Sequence, residues 1–528
     1  MIDIPTKNDV VIIGAGPVGL MTANLLGLYG LKVLLIERNN QPYNLPRAIT
    51  LDDEGCRTLQ AVELSDVYLP DALPSRGSRY YGENGEPFAE VGPGPIEFGF
   101  PRRTQIFQPE FEKILLDGLS RFDNVKIGYG FELISFKQDI DKVDLTISGP
   151  NKRPFTVIAS YLIGSDGARS TVRKILGIKM VGDSYPEDWL IIDTINDPDT
   201  EPVSKFFCSS KQPYVSIPAP NGGRRYEFRA LKQETSTDLL HIPNIQARLK
   251  PIRDIAPDDI IRVAIYTFEA KIADAWQANR AFLLGDAAHV TPPFAGQGMN
   301  AGLRDAHNLS WKLFLVCKGK SSPSILQSYE TERRGPCWAM IQLAVAMGDI
   351  VMPQDHSDIT FRTSLVKWMD RFPAAREFIT HMKFKPPPRY TDGIFVNLDN
   401  QEFTGSLVGQ MLPQIPVKYL NGTPVKLDEI LGHGFTLIVQ DESILEFLHQ
   451  IKHQLWPELS CKIVAIGERL TATADNVIRL QSKSDPTVKQ LRSHRDQIIL
   501  IRPDRYVAAS FDQYNYKQVI TKFSSLLS

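Results

Sequence analysis

The residues of this chain that can do chemistry cluster at three predicted strand ends. The first is Gly14-Ala15-Gly16-Pro17-Val18-Gly19, with Glu37 and its neighbour Arg38 about twenty residues on. Glycines at that spacing allow a tight turn, a close backbone approach to a pyrophosphate, and close packing of the next helix on its strand, while Glu37 takes ribose hydroxyls. A carboxylate at position 37 favours an unphosphorylated adenosine ribose, so FAD or NAD rather than NADP. The second is Gly164-Ser165-Asp166-Gly167-Ala168-Arg169-Ser170, an Asp-Gly turn in which Ser170 can cap the following helix. The third is RAFLLGDAAHVTPPFAGQGMNAGLRDAHNLSW, from Arg280 to Trp311. Here an apolar strand, Ala281 to Leu284, delivers Gly285 and Asp286, a Pro- and Gly-rich turn follows, and a helix opens near Gly298 to Asn300. Backbone N–H groups at such a helix start meet a ligand with the positive end of the macrodipole, which suits an extended, partly anionic molecule. An Asp-Gly turn alone means little. Two carboxylates, Asp166 and Asp286, at two strand-to-helix junctions mean more.

The elements that must position these residues follow from the pattern around them. Val10 to Ile13, an apolar helix through Tyr29 stopped by Gly30, and Lys32 to Ile36 read as one βαβ unit. Arg47 can reach a phosphate or flavin edge, or stand as a solvated surface charge, and a helix follows from about 52 to 62. Gln108 opens a helix to about Leu119, its amide facing a ligand or serving as a simple cap. Strands around 125–136, 143–149 and 155–163 read as an antiparallel set. Residues 185–275 change character: they are Pro-rich and aromatic, with strands expected at 189–193, 205–208, 213–218, 225–231 and 262–268 and a helix near 234–250. We read them as a mixed, largely antiparallel sheet walling a pocket. Tyr214, Tyr226, Arg229 and His241 are its candidate substrate contacts, most of the aromatics being sandwich core. Helices are expected at 302–317 and 324–348. A basic Pro-rich linker, 383–389, precedes a small α/β unit with strands at 435–439, 461–466, 497–501 and 505–510 and helices at 443–453, 485–493 and 516–527.

Composition narrows the class. A chain of 528 residues is too long for one core, so two or three domains are expected. Its 43% apolar and 23% charged residues are ordinary for a globular protein, and a net charge of -2 gives no reason to expect nucleic acid or an anionic membrane as partner. The five cysteines are scattered without a CxxC pair, which argues against a disulfide frame, a zinc site or any other metal centre. The opening MIDIPTKND lacks the apolar core of a signal peptide, and no apolar run approaches the roughly 18 residues of a membrane span. The expected location is the cytoplasm.

The three motifs in this order, GAGPVG with Glu37, GSDGARS and FLLGDAAHVTPPFAGQG, resemble the single-component FAD-dependent aromatic hydroxylases, the group A flavin monooxygenases. So do PRAITLDDEGCRTLQ, FGFPRRTQIFQPEFE, QPYVS, YETERR and IRPDRYVAAS, so the resemblance spans nearly the whole chain. It implies an α/β (α+β) fold of para-hydroxybenzoate-hydroxylase type. A Rossmann-like FAD-binding domain would be discontinuous, 1–184 and 276–390, with 77–104 contributing to the substrate layer. Residues 185–275 would form an inserted mixed, antiparallel-sheet substrate domain, and 400–528 a thioredoxin-like domain lacking redox cysteines. Among site residues it implies that Gly14, Gly16, Pro17, Val18, Gly19, Glu37 and Arg38 hold the ADP half of FAD, with Arg47 and Gln108 at the flavin or its phosphates. Asp286, after Gly285, would bind the ribityl chain or pyrophosphate region, and Asp166 and Gly167 belong to the motif linked with both FAD and nicotinamide binding. Gly298, Met299 and Asn300 would present backbone to the flavin pyrimidine edge. Pro293, Phe294 and Gly296 would mark where flavin and substrate meet, with His289 close by as a catalytic or a structural histidine. The implied activity is that of an NADH- or NADPH-dependent monooxygenase of aromatic catabolism. It would use O₂ to hydroxylate a phenolic compound through a flavin C4a-hydroperoxide, on a 3-(3-hydroxyphenyl)propionate-like substrate. Polycyclic, heteroaromatic or other non-arylpropionate substrates, a flavin-dependent reductase and a non-catalytic FAD-fold protein are the alternatives. A homodimer is compatible with it.

Overall fold

Short β-branched runs bounded by glycine place four strands side by side and parallel. In the computed structural model, which describes residues 4–352, 356–369, 371–372, 385–397, 406–451, 453–467, 476–482 and 491–528, Lys7–Ile13 pairs with Val33–Glu37 on one side and Pro154–Gly164 on the other. Ala281–Leu283 extends the sheet beyond Pro154–Gly164, again parallel. Because all four run the same way, their carboxyl ends lie along one edge, where open α/β sheets bind ligands. In register, Ile13 stands opposite both Ile36 and Gly164, and Gly164 opposite Leu283. The motifs that follow these strands therefore meet although they are far apart in sequence.

The run expected at 125–136 is two strands. Gly130, at φ +75°, ends Val125–Tyr129, and the chain resumes as Glu132–Gln138. The expected antiparallel set is corrected accordingly. Val125–Tyr129 joins the parallel sheet beside Val33–Glu37, while Glu132–Gln138 and Val143–Ser148 form an antiparallel flap on Pro154–Gly164.

The second sheet has eight strands: His289–Val290, Ile260–Ala273, Met180–Thr194, Arg224–Arg229, Tyr214–Pro218, Ser204–Phe207, Ser78–Tyr81 and Pro87–Val91, in that spatial order. Its pairs are antiparallel except Ser204–Phe207 with Ser78–Tyr81. One face packs Tyr226 and Phe228 under Leu239, Ile245 and Leu249. These last three come from two short helices, Ser236–Leu240 and Ile242–Leu249, where one was expected; Pro243, in the first turn of the second helix, has no N–H to continue the first. The other face looks back toward the parallel sheet.

Helix Gly298–Cys317 begins at the third motif and packs against Pro17–Leu28, and Ser328–Val351 lies alongside it. The C-terminal unit is a seven-stranded mixed sheet, in spatial order Pro424–Lys426, Pro416–Tyr419, Val477–Ser482, Lys462–Ile466, Thr436–Val439, Ile498–Ile501 and Val507–Phe511. Its four expected strands are present, and three more flank them. Residues 485–490 of the helix expected at 485–493 and the first two residues of the linker at 383–389 lie outside the described residues. No helix among the described residues is long and apolar enough to cross a membrane.

Candidate active site

The glycine turn after Lys7–Ile13 admits no substitution at two of its positions. A Cβ on Gly14, whose φ is +103°, would stand 2.5 Å from the Ser165 carbonyl oxygen, and one on Gly19 would stand 2.0 Å from the Gly14 carbonyl oxygen. At Gly16 a Cβ would meet nothing within 4 Å. The turn is thus packed shut behind and bare in front. Helix Pro17–Leu28 starts there with Gly16 as N-cap and no side chain on its N–H groups. Glu37 braces the turn: its Oε2 accepts from the Ala15 N–H at 3.0 Å and its Oε1 from the Asn39 N–H at 2.9 Å. Ser165 Oγ, from the second motif, lies 3.1 and 3.0 Å from the carbonyls of Ile13 and Gly14.

Asp166 Oδ2 accepts from the N–H groups of Thr171 (2.6 Å) and Val172 (3.2 Å), so this carboxylate caps the short helix jointly with Ser170. Its Oδ1 is buried with no partner. Burial raises its pKa against these hydrogen bonds. Asp286 points into the cleft, open to cleft water but enclosed by protein, and that enclosure raises its carboxyl too, against the pull of His289 and Arg47. Two carboxyl groups held up in pKa, one with an orphaned oxygen, face one space.

His289 lies behind that space, fully buried, with Nε2 2.7 Å from Asp305 Oδ2; Asp305 also accepts from Arg333 Nε at 2.9 Å and from the Gly285 N–H at 3.2 Å. Burial works against its charge, but Cys337 and the Asp305 carboxylate raise its pKa well above the ordinary value. This triad fixes the Gly285 turn from the rear, which gives His289 a supporting place. Asn300 is likewise a brace: its side chain accepts from the Asp52 N–H (3.0 Å) and donates to the carbonyls of Thr50 (3.1 Å) and Gly296 (2.8 Å). Gln108 accepts from the N–H of Arg47 at 3.0 Å and of Ala48, and donates to Glu112 Oε1 at 2.5 Å. Arg47 stands over the Tyr43 ring, 4.1 Å from its centroid.

A cleft of about 460 Å³ joins these parts. Its walls include Gly14, Gly16, Pro17, Val18, Glu37, Arg38, Arg47, Gln108, Asp166, Gly167, Asp286, Pro293, Phe294, Gly296, Gly298 and Met299. Gly19, Gly285, His289 and Asn300 sit just behind it. The cleft continues onto the second sheet, against Ile191, Phe206, Val215, Ile217, Arg225, Glu227, Arg262, Tyr266 and Phe268. Phe294 fixes the Pro293–Ala295 turn on that sheet, edge-on to Trp189 (5.7 Å) and Phe268 (5.3 Å). Tyr214, Tyr226, Arg229 and His241 are not among the cleft walls. Tyr226 donates to Asp197 at 3.0 Å on the far face, Tyr214 stacks between Phe207 and Phe228, Arg229 donates to the Ser210 carbonyl at 2.9 Å, and His241 is exposed. Of the arginines the sequence offers as anchors for a substrate acid, Arg224, Arg225 and Arg229, only Arg225 is a cleft wall. Asp193, Glu227 and Arg262 were not singled out in the sequence. The signal for Glu227 was Arg224-Arg225-Tyr226-Glu227-Phe228-Arg229, charges alternating with rings in a strand whose first five residues are buried. The neighbouring carboxylates Asp52 and Glu54 are met by Arg304 and Lys385.

The donor set fits a dinucleotide such as FAD. A bare helix start, a glycine whose missing Cβ leaves open space and an unpartnered Asp166 oxygen are what a pyrophosphate and a ribityl chain would complete.

Residues 7–344 match the family described as the FAD binding domain, and residues 409–526 match the HcaD C-terminal domain. The chain is 35% identical over 527 residues to a 3-(3-hydroxy-phenyl)propionate/3-hydroxycinnamic acid hydroxylase of Escherichia coli (strain SMS-3-5), covering 98% of this chain and 95% of that one. In structure it is similar to the flavin-dependent monooxygenase PieE in complex with FAD and substrate, with a TM-score of 0.81 and 20% identity over 99% of both chains. It is also similar to aklavinone-11 hydroxylase in a ternary complex with FAD and aklavinone, with a TM-score of 0.79 and 22% identity over 100% of both. At such identities the structural likeness speaks for the fold.

Proposed function

The chain belongs to the FAD binding domain family, and on that premise we propose that it is a single-component FAD-dependent monooxygenase. It uses NAD(P)H and O₂ to hydroxylate a phenolic ring bearing a short acid side chain, of the 3-(3-hydroxyphenyl)propionate kind. When bound, FAD supplies the electron transfer and the activation of O₂. The chain's own residues bind, orient and exclude water. Gly14 to Val18 would hold the pyrophosphate on backbone N–H groups, with Glu37 at the adenosine ribose and Asp166 and Asp286 along the ribityl region. The start of Gly298–Cys317 would present N–H groups to the pyrimidine edge, a placement worth about 0.3–1 kcal/mol for negative charge when exposed and up to roughly 2 when partly buried. Ile191, Phe206, Val215, Ile217 and Phe268 give the ring a dry wall, which protects reactive oxygen species from water.

The observation that carries this reading is the single cleft running from the glycine turn, past Asp286 and Met299, onto the apolar face of the second sheet. A dinucleotide cradle and a ring-sized pocket open into each other. The test is to load the protein with FAD and screen 3-(3-hydroxyphenyl)propionate and other phenols for stimulated NADH and NADPH oxidation, O₂ uptake and product mass. The expected result is a product one oxygen heavier, formed in proportion to reductant consumed. Peroxide alone, or oxidation without O₂, would overturn it in favour of a flavin reductase.

A further inference from the structure

Glu227 is buried, 6% exposed, yet it is a cleft wall. It lies on Arg224–Arg229, between Met180–Thr194 and Tyr214–Pro218, where the strand period sends Arg225 and Glu227 to the cleft and Tyr226 and Phe228 to the opposite face. Its cross-strand neighbours are Ile191 on one side and Val215 on the other, both apolar. In the adjoining row Asp193 stands between Arg225 and Arg262. Arg225 gives Nε (2.6 Å) and Nη2 (3.1 Å) to Asp193, and its Nη1 and Nη2 also reach the carbonyls of Arg47 and Pro46; Arg262 Nη1 reaches Asp193 at 3.1 Å. Asp193 thus takes up much of both guanidinium groups. Glu227 is left with Arg225 Nη1 at 3.8 Å, too far for a hydrogen bond, and no donor among the described residues reaches its carboxyl.

A carboxyl that meets solvent only through the cleft and has no protein donor is left for a ligand to pair. An aromatic ring seated on Ile191, Val215, Phe206 and Phe268 and carrying a hydroxyl would do so. We propose that Glu227 accepts the hydrogen bond, and then the proton, of the substrate's phenolic hydroxyl, an assignment that rests on the hydroxylase reading above. The phenolic O–H bond breaks, an O–H bond forms on Glu227, and the electron pair stays on the phenolate oxygen, enriching the ring. No electron leaves either partner. Burial raises the Glu227 pKa against the attraction of Arg225, with Asp193 adding to the rise and Arg262 opposing it, which brings this base toward the range where proton transfer is efficient.

The test compares wild type, Glu227→Gln and Glu227→Asp, each loaded with FAD, on 3-(3-hydroxyphenyl)propionate and ring-fluorinated analogues of increasing phenol acidity. Glu227→Gln is expected to keep its FAD and its melting temperature but to lose about 10²-fold or more in kcat/KM on the parent phenol. It should also lose the ascending limb of the pH profile and recover progressively as the phenol becomes acidic enough to ionise unaided. Glu227→Asp should restore part of the rate. Unchanged kcat/KM in Glu227→Gln, or a loss equal for all phenols with a wild-type pH profile, overturns the assignment. If Glu227→Gln does not fold, Glu227→Asp decides alone: a displaced ascending limb supports the role and an unmoved one overturns it. Wild type that hydroxylates none of these phenols overturns the reaction itself, and this role with it. Hydroxylation by wild type with an unaltered Glu227→Gln overturns Glu227 only.

Discussion

Asp286 carries a charge that its surroundings do not favour, since enclosure by protein raises its carboxyl pKa. A group that is unfavourable in the free protein and placed against the ligand gives two opposed effects on removal. Asp286→Ala should weaken FAD binding by about 10- to 100-fold, the equivalent of a charged hydrogen bond of roughly 1.5–3 kcal/mol, while the FAD-free protein melts no lower than wild type. Flavin fluorescence titration and apo-protein melting check the two halves; undiminished FAD retention would refute the role. Glu112 gives a pH prediction. Burial raises its pKa from 4.5 to about 7, so the folded state holds this proton more tightly than the unfolded chain. Its stabilising contribution is complete below about pH 4.5 and is lost as pH rises through about 7, a difference of roughly 3 kcal/mol from 2.5 × 1.36. Glu112→Gln should therefore be more stable than wild type at about pH 8 and equal to it near pH 4.5, as read by denaturant midpoints. Side chains of this kind were only half legible. The alternation in Arg224–Arg229 predicts two faces but not which one fronts a ligand, because both carry large residues, and the aromatic face drew Tyr214 and Tyr226 as substrate candidates. The fact that decides it is tertiary: Leu239, Ile245 and Leu249 cover Tyr226 and Phe228.

At the scale of elements, the parallel strands and the turns after them were readable because glycine and β-branched runs leave few alternatives for the backbone. The flap at Glu132–Gln138 was not, since one left-handed glycine, Gly130, redirects a run whose residues suit either pairing. The placement of helix Gly298–Cys317 rests on glycines of two kinds. A Cβ on Gly302 would stand 2.5 Å from Val18 Cγ2 and 3.0 Å from the Gly285 Cα, the second a backbone atom that cannot turn aside. At Gly298 it would meet nothing within 4 Å. Gly302→Ala should accordingly push the helix off the first motif and reduce stability by about 1–3 kcal/mol, with or without FAD. Gly298→Ala should leave the FAD-free protein as stable or slightly more so, alanine being the better helix former, and weaken FAD binding. Melting curves with and without FAD separate the two. A Gly302→Ala protein of wild-type stability would show that the two helices are not in fixed contact.

Over the whole molecule, the C-terminal sheet grips the helices that build the cleft through charges removed from water. Glu332, on Ser328–Val351, receives Arg502 Nη1 (2.7 Å) and Nη2 (2.8 Å), Lys312 Nζ (2.8 Å) and Asn308 Nδ2 (2.6 Å). Arg502 also holds Asp504 at 2.6 and 2.9 Å, and Arg57, on the helix after Thr50–Asp52, holds Asp428 at 2.6 and 2.7 Å. Glu332, Lys312 and Arg502 are all fully or almost fully buried. Burial alone would raise the Glu332 carboxyl, but Arg502 and Lys312 hold it far below the ordinary carboxylate range. Burial lowers Lys312 to about 8 even so. Such an assembly adds little over a well-packed apolar one, yet breaking it by one partner strands the others without water, at about 3–5 kcal/mol. Arg502→Leu leaves Glu332 and Asp504 facing each other with Lys312 as the main remaining cation. It should lower stability by that amount and also loosen FAD, since Lys312 and Asn308 lie on the helix whose first turn faces the cleft. The triple replacement of Arg502, Glu332 and Asp504 by apolar residues of similar volume should recover much of the stability lost in Arg502→Leu. Denaturant unfolding of the FAD-loaded proteins, followed at once by protein fluorescence and by flavin release, tests both statements. Coincident transitions in Arg502→Leu at a lower midpoint are expected, and flavin release at the wild-type midpoint would show that the C-terminal sheet and the cleft are energetically separate.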